Sequence, residues 1–423
     1  MSSTPPSSPP PALEPYAPGH DFLDWMGRQF DALGDIFEAR LGGARAFVVR
    51  DPHSAEHVLR GNWQNYTKGP WGKRMGLLMG TGLIVSDGEL WRRQRRMMQP
   101  VFHRRVIDSL AAMMARFNNE LLATWEQAAR RHEAVDVTAD TSRLALNVVL
   151  TAIFGDEVGR VQPQLAALAE HPARDLDFAD RFRASAVAIG EIVAGRRTRE
   201  AAADDMLGMM IAARDADTGQ AMPAAQLVDE IKTLIVAGHE TTAGTLNWMW
   251  YLLSQHRDIA DRVAAEAAAL SSGRALALDR LHELPLARQV IEETMRLYPV
   301  AWLVRRQAIA DDRLGGYVLP ARAEVYVPIY FIQRNPALWP APDEFQPDRF
   351  AGEEAPARLA MLPFSAGPRN CIGDHFSRTE MLIHLATIAP RLRLAYGCRV
   401  PPERDVGINL RTRHNLTMTP ELR

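Results

Sequence analysis

Cys371 is the residue of this sequence whose surroundings most clearly predict chemistry. It lies in the stretch FSAGPRNCIGD (364–374), two residues after Arg369. The following segment, 374–388, has the apolar spacing of a helix, so the thiol stands at or just before a helix N-terminus. Unpaired N–H groups and the positive end of the helix dipole favour an anion there, and the thiolate is the form of cysteine that binds metals.

The neighbours of Cys371 point to a ligand for haem iron. Gly367 and Gly373 let the backbone approach a flat macrocycle closely or adopt positive φ, and Arg369 offers a cation to the propionates of that macrocycle. Backbone N–H groups beside the sulfur would tune the iron. The alternative is a buried apolar cysteine at a helix start, which needs none of these neighbours.

The full pattern, FxxGxRxCxG, resembles the haem-binding signature of the cytochrome P450 family. Its five positions are occupied by Phe364, Gly367, Arg369, Cys371 and Gly373. The resemblance implies heme b (iron protoporphyrin IX) with Cys371 as the axial ligand of the iron, and O2 as co-substrate. Because other motifs of the family occur in order from Trp91 to this loop, the resemblance covers nearly the whole chain after residue 19.

A long apolar helix is predicted over 227–253, and AGHETT (237–242) interrupts it. Glycine costs about 1 kcal/mol inside a helix, and threonines there bond back to the preceding turn, so a purely structural helix has little reason to hold both. The resemblance assigns Glu240 and Thr241 as the acid–alcohol pair that helps to deliver protons to dioxygen. It also implies that Gly238 leaves room for the dioxygen.

His239 and Glu240 alone could begin the zinc-protease motif HExxH. That motif needs a second histidine at position 243, where Ala243 stands, so a zinc site of this type is excluded. We expect His239 to pack between helices or to act as a gate.

The segments ETMRLYP (293–299) and FQPDRF (345–350) carry a second charged motif. Glu293 and Arg296 lie three residues apart on one helix face, which in isolation is an ordinary surface ion pair. With the second segment, they resemble the family's structural triad of Glu293, Arg296 and Arg349. Buried paired charges of this kind stabilise a core, because removing one partner strands the other.

Further cations are available for the haem propionates. Trp91 and Arg95 stand four residues apart in LWRRQRR, on one face of a predicted helix. The resemblance assigns both to the propionates through the family's WxxxR motif. It assigns Arg306 as a third propionate ligand, with Arg305 beside it as a competitor.

The other arginines of that helix, Arg92, Arg93 and Arg96, are predicted to face solvent. They form a basic cluster in a chain whose net charge is −2. Opposite charges steer encounters between proteins, so the cluster predicts docking of an acidic electron donor, a ferredoxin or flavodoxin. A solvated helix face without a partner is the alternative.

The reaction implied by the resemblance is insertion of one oxygen atom into a C–H or C=C bond of a mainly hydrophobic small molecule. Two alternatives are a peroxide-driven haem-thiolate enzyme and a haem-thiolate sensor or binding protein without turnover. The intact Glu240–Thr241 pair argues against both. Apolar walls are typical of small-molecule pockets, and the predicted wall residues are Trp71, Leu78, Val236, Ala237, Trp302, Leu303 and Val304.

Composition and periodicity define the elements that must position these residues. The chain has 423 residues, of which 47% are hydrophobic and 24% charged, so it can bury a large core and has no global basic field for nucleic acid. We predict a mainly α protein with small β-sheets, the triangular fold of the family. Helices are predicted over 105–131, 141–155, 184–215 and 225–256, and strands over 45–51, 316–320, 323–329 and 416–422.

Residues 1–19 are rich in proline and serine and lack the apolar segment of a signal peptide or membrane anchor. We predict a disordered or extended leader there, followed by a single domain over 20–423 and a monomeric protein. Cys371 and Cys398 are the only cysteines, which excludes a disulfide scaffold and indicates a reducing compartment, the cytoplasm. We expect electrons to come from separate proteins, as in the soluble bacterial members of the family.

Overall fold

The computed structural model describes residues 8–166, 176–198, 205–272, 275–352 and 359–423. The chain forms two compact units. Unit 1 consists of the residues up to Lys73, Glu292–Cys371 and Arg404–Arg411. Unit 2 consists of Arg74–Ile291, Ile372–Glu403 and Thr412–Arg423. The single domain over 20–423 stays a prediction.

Helices dominate the secondary structure, as the periodicity predicted. Several begin at an aspartate, and Asp51, Asp136 and Asp205 each accept a hydrogen bond from a backbone N–H in the first turn of the helix that follows. The α-helices of the described residues are α1 Phe22–Leu33, α2 Pro52–Glu56, α3 Gly69–Met79, α4 Gly88–Met98, α5 Arg104–Arg130, α6 Val137–Phe154, α7 Gln162–Leu165, α8 Leu176–Arg197, α9 Met206–Ala212, α10 Ala224–Gln255, α11 Arg257–Ala268, α12 Pro285–Leu297, α13 Ile329–Ile332 and α14 Asp374–Ile388.

The strands are short, and most of them belong to small sheets. Those of the described residues are β1 Ile36–Leu41, β2 Ala44–Val49, β3 Tyr66–Thr67, β4 Val135–Asp136, β5 Ser271–Ser272, β6 Ala275–Leu276, β7 Leu303–Ala308, β8 Asp312–Leu314, β9 Tyr317–Leu319, β10 Glu324–Pro328, β11 Leu392–Ala395, β12 Arg404–Val406, β13 Leu410–Thr412 and β14 Thr417–Leu422. The largest sheet lies in unit 1 and has the strand order β1-β2-β10-β7-β3. In it, β10 runs parallel to β2 and antiparallel to β7.

The main sheet of unit 1 has a hydrophobic cluster on each face, because successive side chains of a strand point to opposite sides. Phe47 and Val325 belong to one cluster, which also contains Leu59 and Leu362. Tyr326 belongs to the other, which contains the aromatic residues of α1. The first cluster therefore lies on one side of the sheet, and it contains Leu362, which comes just before the Cys371 loop in the chain.

In unit 2, α10 is a core helix of 32 residues that packs along α6, and α14 packs along α5. Within the described ranges, one helical stretch, Val137–Arg160, is long and apolar enough to cross a membrane by composition alone. Yet 61% of its most apolar window is buried inside the protein. That burial is what a core helix has, and the stretch is not a clear membrane span.

Two predictions fall on segments that the structure describes in part. In residues 8–19, Pro11 forms a bridge with Glu38, and Trp25 Nε1 donates to Glu14 O at 3.1 Å. Ala12 and Tyr16 pack against the aromatic cluster of unit 1. Residues 1–7 lie outside the described residues, and the leader over 1–19 stays a prediction. The helix predicted over 184–215 corresponds to α8 and α9, and residues 199–204 between them are not among those described.

Candidate active site

The loop that carries Cys371 is a tight turn with its own backbone hydrogen bonds. The N–H of Cys371 donates to Phe364 O at 2.9 Å, and the N–H of Asn370 donates to Gly367 O at 3.0 Å. Ser365 has a φ of 61° and Gly367 a φ of 73°. Positive φ at a non-glycine residue is strained and persists only where the surroundings hold it. The side chain of Cys371 is exposed.

The chain enters α14 three residues after Cys371, at the residue that the apolar spacing predicted. Gly373 is the N-cap, with a φ of −90°, and no side chain caps the helix. Of the two glycines in the motif, only Gly367 therefore requires positive φ. The first-turn N–H groups of α14 remain available to polarise a nearby anion.

Strand β7 carries Arg305 and Arg306, the two arginines considered as ligands of a haem propionate, and it points them to opposite faces of the sheet. Arg306 pairs with Val325 and is 7% exposed, so it shares the sheet face whose cluster includes Leu362, close in sequence to the Cys371 loop. Arg305 points to the other face, where its guanidinium lies 4.9 Å from the centre of the Tyr326 ring. The alternation of the strand thus favours Arg306.

The donor set of the Cys371 loop fits haem better than a bare metal ion. Among the described residues, no group of three or more His, Cys, Asp or Glu side chains is arranged to hold a metal. A single thiolate needs the remaining ligands from elsewhere, and a porphyrin brings four nitrogens with it. Arg369, half-buried and 5.9 Å from the centre of the Trp63 ring, supplies a cation in the same loop.

Glu293, Arg296 and Arg349 form one buried network in unit 1. Glu293 Oε2 and Oε1 accept from Arg296 at 2.6 and 2.8 Å, and Arg349 Nε also donates to Oε1 at 3.0 Å. Arg296 also donates to the carbonyl oxygens of Gln333, Pro342 and Glu344. Because Glu293 and Arg296 are fully buried, the network crosslinks α12 to the segment before Arg349.

The acid–alcohol pair of unit 2 lies in the middle of α10. Glu240 and Thr241 are both half-buried. Thr241 Oγ1 donates to Ala237 O at 2.7 Å, and one turn later Thr245 Oγ1 donates to Thr241 O at 2.9 Å. Such side-chain bonds to the preceding turn compete with the helix ladder and loosen it locally. With its proton committed to Ala237, the Thr241 oxygen presents lone pairs, so it can accept a hydrogen bond from a water.

The residues around this pair have packing partners in α6. His239 is 6% exposed and its Nε2 lies 2.8 Å from Ser142 Oγ. Burial lowers the pKa of His239 to about 4, so the ring is neutral near pH 7. A Cβ added to Gly238 would lie 3.1 Å from Val149 Cγ2, so this glycine lets the two helices approach closely. Its predicted role in leaving room for dioxygen stays a prediction.

Helix α4 carries Trp91 and Arg95 one turn apart. Trp91 is buried and Arg95 half-buried, with Arg95 Nε donating to Gln99 Oε1 at 2.9 Å. The neighbouring arginines are largely paired within unit 2. Arg92 forms an ion pair with Glu89, and Arg96 pairs with Asp215 and Asp217. These ion pairs weaken the positive electrostatic field that was predicted for α4.

The predicted pocket residues have different surroundings. Trp302 is 2% exposed and donates from Nε1 to Gly407 O, and both Trp302 and Leu303 pack in the aromatic cluster of unit 1. Val304, on the opposite face of β7, packs against the other hydrophobic cluster of the sheet. The pocket roles of Trp302, Leu303 and Val304 stay predictions. The other candidates, all half-buried, are Trp71, Leu78, Val236 and Ala237.

The sequence did not predict a polar clamp that holds residues 80–83 against α10. Asp229 Oδ2 accepts from both the N–H and the hydroxyl of Thr81, and Glu230 Oε2 accepts from Leu83 N at 2.8 Å. A Cβ on Gly82 would lie 2.0 Å from Thr233 Oγ1. The signal for this clamp was the pair of glycines around Thr81 together with two acids in an otherwise apolar helix.

The chain belongs to the cytochrome P450 family. The sequence profile of that family, described as "Cytochrome P450", matches residues 16–173 and 182–407. This confirms the resemblance predicted from the Cys371 motif. Relatives are named as monooxygenases, so the protein is a P450 monooxygenase.

Three relatives from Streptomyces are named for small organic molecules. Cyclooctat-9-en-7-ol 5-monooxygenase of Streptomyces melanosporofaciens is 33% identical, over 86% of this chain and 83% of that protein. Cyclooctatin synthase of the same organism is 32% identical, over 93% and 90%. Pentalenene oxygenase of Streptomyces avermitilis is 29% identical, over 89% and 86%.

Solved structures confirm the predicted fold class. The haem domain of cytochrome P450DA matches with a TM-score of 0.87, at 22% identity over 100% of this chain and 98% of that one. The retinoic acid-bound cyanobacterial CYP120A1 matches with a TM-score of 0.87, at 24% identity over the full length of both chains. At this level of identity the likeness establishes the fold alone.

Proposed function

We propose that this P450 hydroxylates or epoxidises a hydrophobic terpenoid. The observation that carries the proposal is the set of relatives named for cyclooctat-9-en-7-ol, cyclooctatin and pentalenene, which match most of the chain. Carotene epsilon-monooxygenase of Arabidopsis thaliana, 27% identical over 93% of this chain, is also named for a terpenoid. All of these names denote largely apolar carbon skeletons, which suit a pocket of half-buried apolar side chains.

In this proposal, Cys371 would supply the thiolate that holds heme b, and Arg306 and Arg369 of the same unit would serve its propionates. The family resemblance also assigns Arg95 and Trp91 to the propionates. When bound, the haem supplies the activation of O2, and electron donation from the thiolate favours O–O cleavage. Phe364 and Gly367 shape the loop so that the Cys371 sulfur is presented without its backbone blocking the ring.

The chain's own contribution to the reaction is the control of protons and of water. Glu240 is an acid half-exposed on α10, so it can exchange protons with solvent and pass them on. Thr241 donates its own hydroxyl proton to Ala237 O and can therefore hold a water by accepting from it. This arrangement orients a proton donor toward the reacting oxygen atoms, which is a geometric requirement of general acid catalysis.

The electron supply and the setting complete the proposal. Electrons come from a separate acidic ferredoxin or flavodoxin with its reductase, and the enzyme works in the cytoplasm as a monomer. Support comes from the bacterial relatives and from the basic residues of α4. Turnover driven by NADH with a surrogate ferredoxin and reductase, assayed on terpenoid hydrocarbons and alcohols, tests the substrate class.

The ligand assignment has its own experiment, in which the two cysteines are matched. Cys371→Ser should lose the red-shifted absorption of the reduced carbon monoxide complex, because an alcohol cannot replace the thiolate. Cys398→Ser, which alters the other exposed cysteine, should keep it. If Cys398 were the residue required, the assignment of the haem ligand would be wrong.

A further inference from the structure

A single π-helical turn, His57–Gly61, separates α2 from β3. Its closing hydrogen bond runs from Asn62 N to His57 O at 2.7 Å. π-helical turns are rare, are less favourable than α-helix, and occur mostly at functional sites. This turn therefore needs contacts from outside itself to keep its shape.

One carboxylate provides those contacts at both ends of the turn. Asp312 Oδ2 accepts from His57 Nε2 at 3.0 Å and from Asn62 Nδ2 at 2.9 Å. It also accepts from the hydroxyl of Tyr66 at 2.7 Å. The backbone N–H of Arg313 donates to Oδ1 at 2.8 Å. Asp312 is thus the common acceptor for the residue that begins the π-helical turn, the residue that follows it, and the first residue of β3.

The cluster is built to hold an ionised carboxylate. The Asp312 side chain is 11% exposed. Burial alone would raise the pKa of Asp312, but the hydrogen bonds from Tyr66, Arg313 N, His57 and Asn62 outweigh it and hold the pKa below its ordinary value. Burial, together with the bond to Asp312, raises the pKa of the Tyr66 phenol, which therefore stays a donor.

The π-helical turn in turn supports the Cys371 loop. A Cβ placed on Gly367 would lie 2.1 Å from Leu59 O and 2.9 Å from the Cα of Arg60. The loop backbone therefore lies directly against the backbone of the turn, with no side chain between them. Gly367 begins the 3₁₀ turn Gly367–Arg369, which ends two residues before Cys371. A shift of the π-helical turn must move this part of the loop.

We propose that Asp312 is a positioning residue for the haem thiolate, acting through the π-helical turn and Gly367. The inference rests on the proposed role of Cys371 as the iron ligand. Loss of the carboxylate frees both ends of the turn, so Leu59 and Arg60 no longer define one position for Gly367. The sulfur would then sample positions from which it bonds the iron poorly.

The test compares Asp312→Asn with Asp405→Asn. Asp405 is a matched control in unit 1, because its side chain is 15% exposed and accepts from Arg411 Nε at 3.0 Å, yet it does not belong to this cluster. At equal haem content, Asp312→Asn should reduce the fraction of the reduced carbon monoxide complex with the red-shifted band at least twofold. Asp405→Asn should leave that fraction unchanged, even if its thermal midpoint falls similarly.

Tyr66→Phe keeps the inference testable if Asp312→Asn fails to fold. This isosteric change removes one of the hydrogen bonds to the carboxylate, so the red-shifted band should decay several-fold faster on mild warming than in the wild type. A wild type without the band would contradict the role of Cys371 itself. If the wild type shows the band and both Asp312→Asn and Tyr66→Phe retain it like Asp405→Asn, Asp312 does not position the thiolate.

Discussion

At the scale of single residues, Thr241 and Thr245 make the same kind of hydrogen bond on α10, one turn apart. Only Thr241 belongs to the acid–alcohol pair, so Thr245 is its matched control. Thr241→Ala should still bind haem and substrate but divert reducing equivalents to peroxide, because protons are no longer directed. The fraction of NADH recovered as product should fall several-fold, as measured by parallel assays of NADH, product and peroxide.

Thr245→Ala removes an equivalent bond to the helix backbone and should keep the coupling of the wild type. Glu240→Gln should slow turnover, since the amide cannot pass on a proton. Equal coupling in the wild type, Thr241→Ala and Thr245→Ala would remove the proton-delivery role from Thr241.

The buried network around Glu293 makes a second prediction at this scale. Glu293→Gln leaves Arg296 and Arg349 without their counter-charge, and breaking a buried pair costs about 3–5 kcal/mol. We expect a loss of that size in the free energy of unfolding, measured by denaturant titration. Glu283→Gln breaks the ion pair of Glu283 with Arg280, whose side chains are 40% and 47% exposed, and should cost much less than Glu293→Gln because solvent screens exposed pairs. Similar losses of unfolding free energy in the two variants would mean that burial does not determine how much an ion pair stabilises the protein.

Residue patterns were informative where a function fixes both residue type and spacing. The Cys371 motif and the ETMRLYP segment are local, so they could be read from the sequence. Asp312 could not, because its partners lie about 250 residues earlier in the chain, and nothing local marks that aspartate as an acceptor. The pocket role of Trp302 stays a prediction for a related reason: an apolar side chain suits a core and a pocket wall equally well.

At the scale of elements, the clamp between α10 and residues 80–83 depends on a buried acid. Burial raises the pKa of Glu230 to about 8, with the charge of Asp229 adding to the effect and the N–H of Leu83 opposing it. In the unfolded chain the same group titrates near 4.5. The folded state thus holds an extra proton between these values, so its stability falls as pH rises from about 4.5 to about 8.

Glu230→Gln should remove this dependence. The amide mimics the neutral acid, so the variant should match the wild type near pH 4.5 and become relatively more stable by up to about 1.4 kcal/mol per pH unit above it. Unfolding titrations across this range provide the measurement. Glu120→Gln, an exposed carboxylate on α5, should leave the slope unchanged. Parallel curves for Glu230→Gln and the wild type would contradict the prediction.

Helices were predicted well where an apolar stripe extends over many turns. The observed bounds of α5 and α10 differ from the predicted ones by a single residue at each end. The π-helical turn at His57–Gly61 was not predicted, because its shape comes from Asp312 and the Gly367 contact. Such a turn has no hydrophobic periodicity of its own in the local sequence.

At the scale of the whole molecule, the distribution of surface charge affects how fast an electron donor docks. Asp217, 68% exposed, pairs with Arg96 and so masks part of the basic cluster on α4. Asp217→Asn should unmask it and raise the rate of the first electron transfer at low ionic strength about two- to fivefold, with convergence at high salt. Stopped-flow reduction with a soluble acidic ferredoxin measures this rate.

Asp343→Asn is the control for that experiment, because it changes net charge equally. Its side chain is 82% exposed and pairs with Arg334 in unit 1. Equal acceleration in the two variants would indicate a general charge effect and would argue against docking at α4.

Fold class could be predicted because the family motifs fix it, whereas strand pairing could not. The parallel pairing of β2 with β10 and the division into two units depend on contacts between distant parts of the chain. Short strands such as β3 have too few residues for a period. Local sequence patterns do not identify the substrate either, since a pocket is assembled from separate elements.

The discontinuous make-up of unit 1 has a consequence for the newly made protein. His57 and Asp312 are separated by 255 residues, so at ordinary rates of translation the first leaves the ribosome roughly 10 to 50 s before the second. Throughout that interval β2 lacks its neighbour β10 and offers an open edge to other nascent chains. We expect unit 1 to close only after Cys371 has been synthesised. Haem would therefore be captured by a completed polypeptide, and cells short of chaperones should accumulate aggregates of incomplete chains.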